Sequence, residues 1–222
     1  MFNHLDLNLN DNLTRKTIRG QRWYQVNETT QYPSVTTVLG CVEKSGLQAW
    51  KQAMGKSKAD KEMARCADRG TAVHDMIEKY LLNNDDPTCN HELSNISLFN
   101  KIKVRLKKIN DIHCQEHSLF SHTLKMAGSV DCIAYYDGVL SVIDFKTSNG
   151  TKDESMIEDY FLQCTAYAIM YSEMYDTFIE DIVIIIAPEK SNSMSMVYKK
   201  KINNYVAPLL KRISKFNEIN NV

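Results

Sequence analysis

The sequence predicts an α/β fold: a central mixed sheet of four or five strands flanked by helices, with a helical N-terminal addition. Three observations predict it. Residues 128–148 carry two β-rich runs on either side of Asp137-Gly138. Asp-Gly is the strongest short-range signal for a two-residue hairpin, because both central residues favour positive φ. Segments 58–82, 95–109 and 154–175 read as helices. The continuous apolar run Ile182 to Ala187 has the length of a buried strand.

In chain order, residues 22–26 (RWYQV) read as a short strand. Pro33-Ser34 opens a helix through Leu39, with Ser34 as N-cap and proline at its start. Residues 46–54 and 58–82 follow as helices, and LNNDDPTCNHE is a loop rich in turn formers. Over 95–109, Ile96, Phe99, Ile102, Leu106 and Ile109 share one helical face, and Lys101, Arg105 and Lys108 share another. The stretch KIKVRLKK within it also alternates as a strand would. Residues 112–120 favour a strand, the hairpin follows, and a helix near 203–217 closes the chain. The core order is helix, three strands, helix, strand.

The chain has 222 residues, with 27 basic and 27 acidic side chains and a formal net charge of zero. That excludes whole-molecule attraction to nucleic acid or anionic membrane and leaves room for a local basic groove. An apolar share of 43% with 24% charged residues is a globular balance. No apolar run approaches the ~20 residues of a membrane-spanning helix. The six cysteines (Cys41, Cys66, Cys89, Cys114, Cys132 and Cys164) show no CxxC spacing. That argues against a zinc site or an iron–sulfur cluster. Cys132 and Cys164 read as small apolar groups. No Walker A motif is present, so no nucleotide cofactor is expected.

The hairpin carries the chemistry. A two-residue loop at Asp137-Gly138 sets Asp131 directly opposite Asp144, with Lys146 on the same face. Val130, Ile133, Val142, Ile143 and Phe145 make both faces apolar, as in a covered central sheet. Two carboxylates in register repel unless they share a proton or a cation bridges them. Oxygen ligands at that spacing suit Mg²⁺ or Mn²⁺ rather than zinc. A lysine beside them can neutralise charge and orient or activate a water. The alternative is a surface hairpin with solvent-facing aspartates, which the apolar flanks disfavour. Upstream, His74 and Glu78 follow Gly70 and stand at i, i+4 on one helical face. Downstream, Gln163 and Tyr167 have the same spacing, at which they can donate two hydrogen bonds to one phosphate or base. Either pair alone reads equally well as structural.

Taken together, GTxxH at 70–74, GxxD at 128–131, DxK at 144–146 and QxxxY at 163–167 resemble the PD-(D/E)XK nuclease superfamily. The likeness is to its RecB-like exonuclease branch, close to the mitochondrial genome maintenance exonuclease group and its phage relatives. YPSVTTVL at 32–39 and DFKTS at 144–148 add to it, and it covers residues 22–188. Val130 stands where proline is usual before the first aspartate, and the four-cysteine set of cluster-bearing relatives is missing. The resemblance implies a restriction-endonuclease-like core and a single nuclease domain over 1–222. Within it, 1–60 is the N-terminal helical addition, 61–190 the catalytic core, and 191–222 a C-terminal strand and helix.

The resemblance also assigns roles. His74, Asp131 and Asp144, with the backbone carbonyl of Phe145, would ligate Mg²⁺ or Mn²⁺, and Lys146 would position the attacking water. Gln163 and Tyr167 would steady the DNA strand or the lysine. Glu116 and Glu78 match acidic positions in related sequences, with a surface salt bridge as the alternative. Thr147, Ser148 and Arg105 join the supporting or DNA-binding set. So do Ser34, Thr36 and Thr37, which could receive a phosphate at a helix start.

Phosphate contacts are expected from Lys51, Lys56, Lys58 and Lys61, from Lys101, Lys103, Arg105, Lys107 and Lys108, and from Lys199 to Lys201. Trp23, Tyr24 and Trp50 are candidates for stacking on bases. The expected function is a metal-dependent DNA exonuclease favouring single strands or ends. The alternatives are a catalytically silent nucleic-acid-binding or assembly module of the same fold, or a structure-selective endonuclease. Expected partners are DNA and proteins of replication or recombination, with no membrane. The start MFNHLDLNLNDNL lacks a signal-peptide core and carries acids that transit peptides avoid. With the Asn- and Lys-rich composition, it points to the cytoplasm of a bacterial or phage-infected cell.

Overall fold

The computed structural model describes all residues except 8, 10–12, 43–44, 191–192 and 221–222. The first part of the chain forms β1 (Thr14–Ile18), β2 (Gln21–Gln25) and β3 (Gln31–Pro33), then α1 (Val35–Leu39) and α2 (Ser45–Met54). The N-terminal addition is therefore only partly helical: β1–β2–β3 is an antiparallel sheet of its own. Arg19 and Gly20 make the β1–β2 turn with φ of 50° and 76°, the left-handed geometry that a two-residue hairpin needs.

Two helices follow, α3 (Lys56–Leu81) and α4 (Leu93–Leu106). Then come β4 (Ile109–Ser121), β5 (Met126–Tyr136), β6 (Val139–Ser148), α5 (Glu158–Tyr175), β7 (Asp181–Pro188), β8 (Met196–Lys201) and α6 (Val206–Asn220). The main sheet has the order β4-β5-β6-β7-β8. Only β6 and β7 pair parallel, joined by the α5 crossover; the other pairs are antiparallel. This mixed sheet has the order of helix, three strands, helix and strand expected of a restriction-endonuclease-like core.

Period-two burial explains the layering. On β7, Ile182, Ile184 and Ile186 pack with Val130, Ile133 and Val142 against α1, α5 and α6. Val183, Ile185 and Ala187 pack with Cys132, Ala134, Ile143 and Phe145 against α3 and α4. Cys132 and Cys164 are fully buried, as small apolar groups should be. The KIKVRLKK stretch is helix as far as Leu106, because Phe99, Ile102 and Leu106 fill the α3–α4 layer, and Ile109 opens β4 instead of extending that helix.

Both rims of the sheet are covered or charged. Ile112 on β4 exchanges backbone bonds with Asn3 and Leu5 at 2.9 Å each. The β8 rim carries Lys199, Lys200 and Lys201. Among the described residues, no helix is long and apolar enough to cross a membrane.

Candidate active site

The Asp137-Gly138 turn has φ of 49° and 82°, and the register runs from Tyr136↔Val139 to Cys132↔Ile143. The next pair in that register is Asp131 and Asp144. Here the two strands part. The Asp131 carboxylate, not a backbone carbonyl, accepts the Phe145 N–H at 2.8 Å. β6 continues without its β5 partner and stays paired with β7 as far as Ser148↔Pro188. The parting opens the sheet where the functional side chains meet.

Asp144 is 2% exposed. Its Oδ1 accepts a bond from the Lys146 ammonium, and its Oδ2 is buried with no hydrogen-bond partner. Burial and the nearby Asp131 charge push the Asp144 carboxyl above the usual carboxylate range, against the pull of Lys146. Burial also opposes the Lys146 charge, but Asp144 and Asp131 outweigh it and hold the ammonium protonated. Lys146 is therefore a charged donor rather than a base. The Tyr160 ring, on the first turn of α5, lies with its centroid 5.3 Å from Nζ, within cation–π range. Sequence reasoning passed over Tyr160, although it precedes Gln163 by one helical turn.

His74 reaches the same opening from α3. Its Nε2 donates to the Phe145 carbonyl at 2.7 Å. Its Nδ1 lies 3.7 Å from Glu116 Oε1 and 3.8 Å from Asp131 Oδ1. Burial works against an imidazolium there, but the Asp131 and Glu116 carboxylates more than offset it and raise the pKa to about 9.

Glu116 enters through β4. It lies between the pairs Gln115↔Cys132 and His117↔Val130, hence opposite Asp131. Its φ of 45° is an uncommon conformation for a glutamate within a strand, of the strained kind that collects at functional sites. His74, Glu116 and Asp131 each offer a ligand atom, all within 4.8 Å of one another. With the orphaned Asp144 Oδ2 and the Phe145 carbonyl close by, the donor set is one imidazole and otherwise oxygen. That chemistry fits a hard divalent cation. Glu116 thus lies among the candidate ligands while also facing His74 as an ion-pair partner.

Tyr167 is 3% exposed and hydrogen-bonded to Gln163. Its ring lies against Gly128, where an added Cβ would meet Cε1 at 2.8 Å and the hydroxyl oxygen at 2.9 Å. The glycine of GxxD is thus a seat for this tyrosine. Tyr167 is thus buried against β5 rather than presented at the surface.

Other expected site residues have internal partners. Ser34 caps α1 by accepting the Thr37 N–H at 3.0 Å, and the Thr37 hydroxyl donates to the Arg22 carbonyl at 3.1 Å. Only Thr36 of the three is exposed. The Glu78 carboxyl is raised by burial and by the nearby Glu116 charge. Thr147 Oγ1 accepts from Arg69 at 3.3 Å, and the Ser148 hydroxyl donates to the Gly150 carbonyl at 2.5 Å.

Arg105 donates to Ser195, and Lys101 to the Pro188 carbonyl. Lys103 lies over Tyr80 and Phe99. Lys199 pairs with Asp137, Lys200 with Glu154, and Lys201 with Glu180 and Asp181. Of the expected phosphate contacts, Lys56, Lys58 and Lys61 at the start of α3 are exposed, as are Lys107, Lys108, Lys199 and Lys201. Tyr24 is buried in the core, while Trp23 and Trp50 are half-buried.

No protein-family model matches the chain. Mitochondrial genome maintenance exonuclease 1 of Mus musculus is 27% identical over 168 residues, covering 70% of this chain and 49% of that protein. The Homo sapiens protein of the same name is 29% identical over 149 residues, covering 61% and 42%. The chain thus spans about half the length of the curated relatives it matches. A solved structure from Eubacterium rectale, of a protein named as an exonuclease candidate, aligns with a TM-score of 0.48 at 14% identity, covering 68% of this chain and 65% of that one. By sequence, the chain is similar to the mitochondrial genome maintenance exonucleases over more than half of its length.

Proposed function

We propose that this chain is a divalent-metal-dependent deoxyribonuclease of the PD-(D/E)XK type, acting as an exonuclease on single-stranded or ended DNA, with its catalytic core over 61–190. One observation carries the reading: His74, Glu116 and Asp131 converge beside a buried Asp144 oxygen that has no partner, next to a charged lysine. In this reading Asp131, Asp144, His74, Glu116 and the Phe145 carbonyl hold Mg²⁺ or Mn²⁺. The bound cation would lower the pKa of a water and offset charge building on the phosphate. Lys146 donates to the attacking water or a phosphate oxygen, and its fixed charge favours the more anionic transition state. Gln163 and Tyr167 hold β5 and α5 together around these groups. Lys56, Lys58 and Lys61 supply salt-dependent phosphate contacts.

The test is digestion of end-labelled linear DNA and closed circular DNA with Mg²⁺, Mn²⁺ or EDTA. Linear DNA should shorten only with metal, and the circle should persist. Products in EDTA would refute the metal assignment, and a nicked circle would refute the exonuclease assignment.

The His74 environment sets a pH dependence. A ligand imidazole must be neutral, and this one keeps its proton up to about 9, so each cation bound displaces a proton. Mn²⁺ affinity measured by titration calorimetry should rise with pH up to about 9 and level off above. An affinity flat across that range would remove His74 from the ligand set.

A further inference from the structure

Arg69 is 5% exposed, a depth at which guanidinium groups are found only with dedicated partners. Its Nε donates to Thr147 Oγ1 at 3.3 Å. Its Nη1 donates to Asn149 Oδ1 at 2.9 Å and to Glu189 Oε2 at 2.7 Å. Arg65, on the exposed side, bridges the same Glu189 and Glu62. Glu62 in turn accepts from Asn149 at 3.0 Å. Backbone bonds from Glu189 to Ser148 and from Lys190 to Asn149 join the two strand ends. Arg69 therefore grips the ends of β6 and β7 from α3.

Burying an ion pair gains little stability over apolar packing of the same volume. What this one adds is direction. α3 touches β6 through two polar ties, Arg69 to Thr147 and His74 to the Phe145 carbonyl, about 7.5 Å apart along the helix axis. Two ties fix the tilt of the helix as well as its distance from the strand. His74 Nε2 is engaged by the Phe145 carbonyl, so the ring turns Nδ1 toward Glu116 and Asp131, while the carbonyl keeps a second lone pair. Further ties from α3 to the turn after β6 run from Arg69, Cys66 and Glu62 to Asn149.

We infer that Arg69, gripping Thr147, Asn149 and Glu189, is a positioning residue that keeps His74 in register with Asp144 and Lys146. The inference rests on the proposed metal-nuclease reading and assigns Arg69 no contact with DNA or metal.

The test compares wild type with Arg69→Met, Arg69→Lys and Thr147→Val; the last removes one contact without exposing a buried charge. Outer partners of metal ligands typically control affinity by about 10- to 100-fold. Arg69→Met should weaken Mn²⁺ binding by about tenfold or more and lower kcat similarly, with KM for DNA within about twofold. Arg69→Lys should recover part of both losses, and Thr147→Val should give a smaller loss of the same kind. In the metal-free protein, the His74 imidazole NMR signal should move in Arg69→Met and Thr147→Val. A folded Arg69→Met, or Thr147→Val if the former does not fold, with wild-type Mn²⁺ affinity and an unmoved His74 signal overturns the inference. Wild type that binds no Mn²⁺ overturns the metal reading instead, while the His74 signal still reports whether Arg69 positions that ring.

Discussion

Lys146→Ala is expected to lower cleavage by about a thousandfold, within the range for loss of a positioned proton donor or charge stabiliser. It should also destabilise the metal-free protein by roughly 3 kcal/mol, because removing one partner of a buried ion pair strands the other. The stranded group is Asp144, at 2% exposure and already facing the Asp131 charge. Asp144→Asn should lose cleavage to a similar extent and yet keep or gain stability without metal. It deletes a buried charge that repels Asp131 and leaves the ammonium beside Asp131.

The sign follows from linkage. The folded protein holds the Asp144 proton to higher pH than the unfolded chain does. Stability of the metal-free protein therefore falls as pH rises from the ordinary carboxylate value of about 4 through the raised folded value. Asp144→Asn should flatten that slope. Thermal melts in EDTA across this pH range, paired with cleavage assays, check both variants. If Asp144→Asn melts as early as Lys146→Ala, the carboxylate is not the strained member of the pair.

Gly128→Ala should be the most damaging single-methyl change near the site. The new carbon would stand 2.8 Å and 2.9 Å from two Tyr167 atoms. That ring belongs to α5, a helix buried over most of its circumference, so it has little room to retreat. Overpacking of this kind costs about 1–3 kcal/mol. Relief by moving β5 would displace Asp131, three residues on, and cleavage should fall with stability. Tyr167→Leu in the same chain should restore part of the stability by making room. Urea denaturation of the single and double variants measures it; additive losses would mean the two groups do not compete for space.

What could be foreseen in this chain follows how local its causes are. The Asp137-Gly138 turn is self-contained, so it set the register up to the aspartate pair without knowledge of the rest. The β1–β2 hairpin turns just as tightly, but on Arg19-Gly20, and arginine is not a residue that announces a left-handed turn. β1 is exposed along nearly its whole length, so no apolar alternation marked it, whereas β2 answers to the strand expected over 22–26.

Glu116 was within reach as an acid but not as a ligand. Placing it requires the β4–β5 register, and that connection has no glycine or proline, turning instead through Lys125 at a φ of 52°. From that turn the register holds as far as Gln115↔Cys132, and the slips in β4 begin only beyond it, between Asn110 and Cys114. Ser34 is the N-cap that its sequence context predicts, and the same capping network engages the Thr37 hydroxyl. The β8 lysines depend on distant sequence too, because Asp137 and Glu154 supply the carboxylates that pair with Lys199 and Lys200.

The treatment of the two sheet rims bears on how the molecule behaves in company. An open strand is a template on which any other copy can add its own backbone. Residues 3 to 5 plug one side of this template, and a row of three ammonium groups makes the other a poor mate for its own kind. Crowded copies are thereby discouraged from zipping into fibrils, and clipping those few N-terminal residues would remove half of that protection without touching a single reactive group.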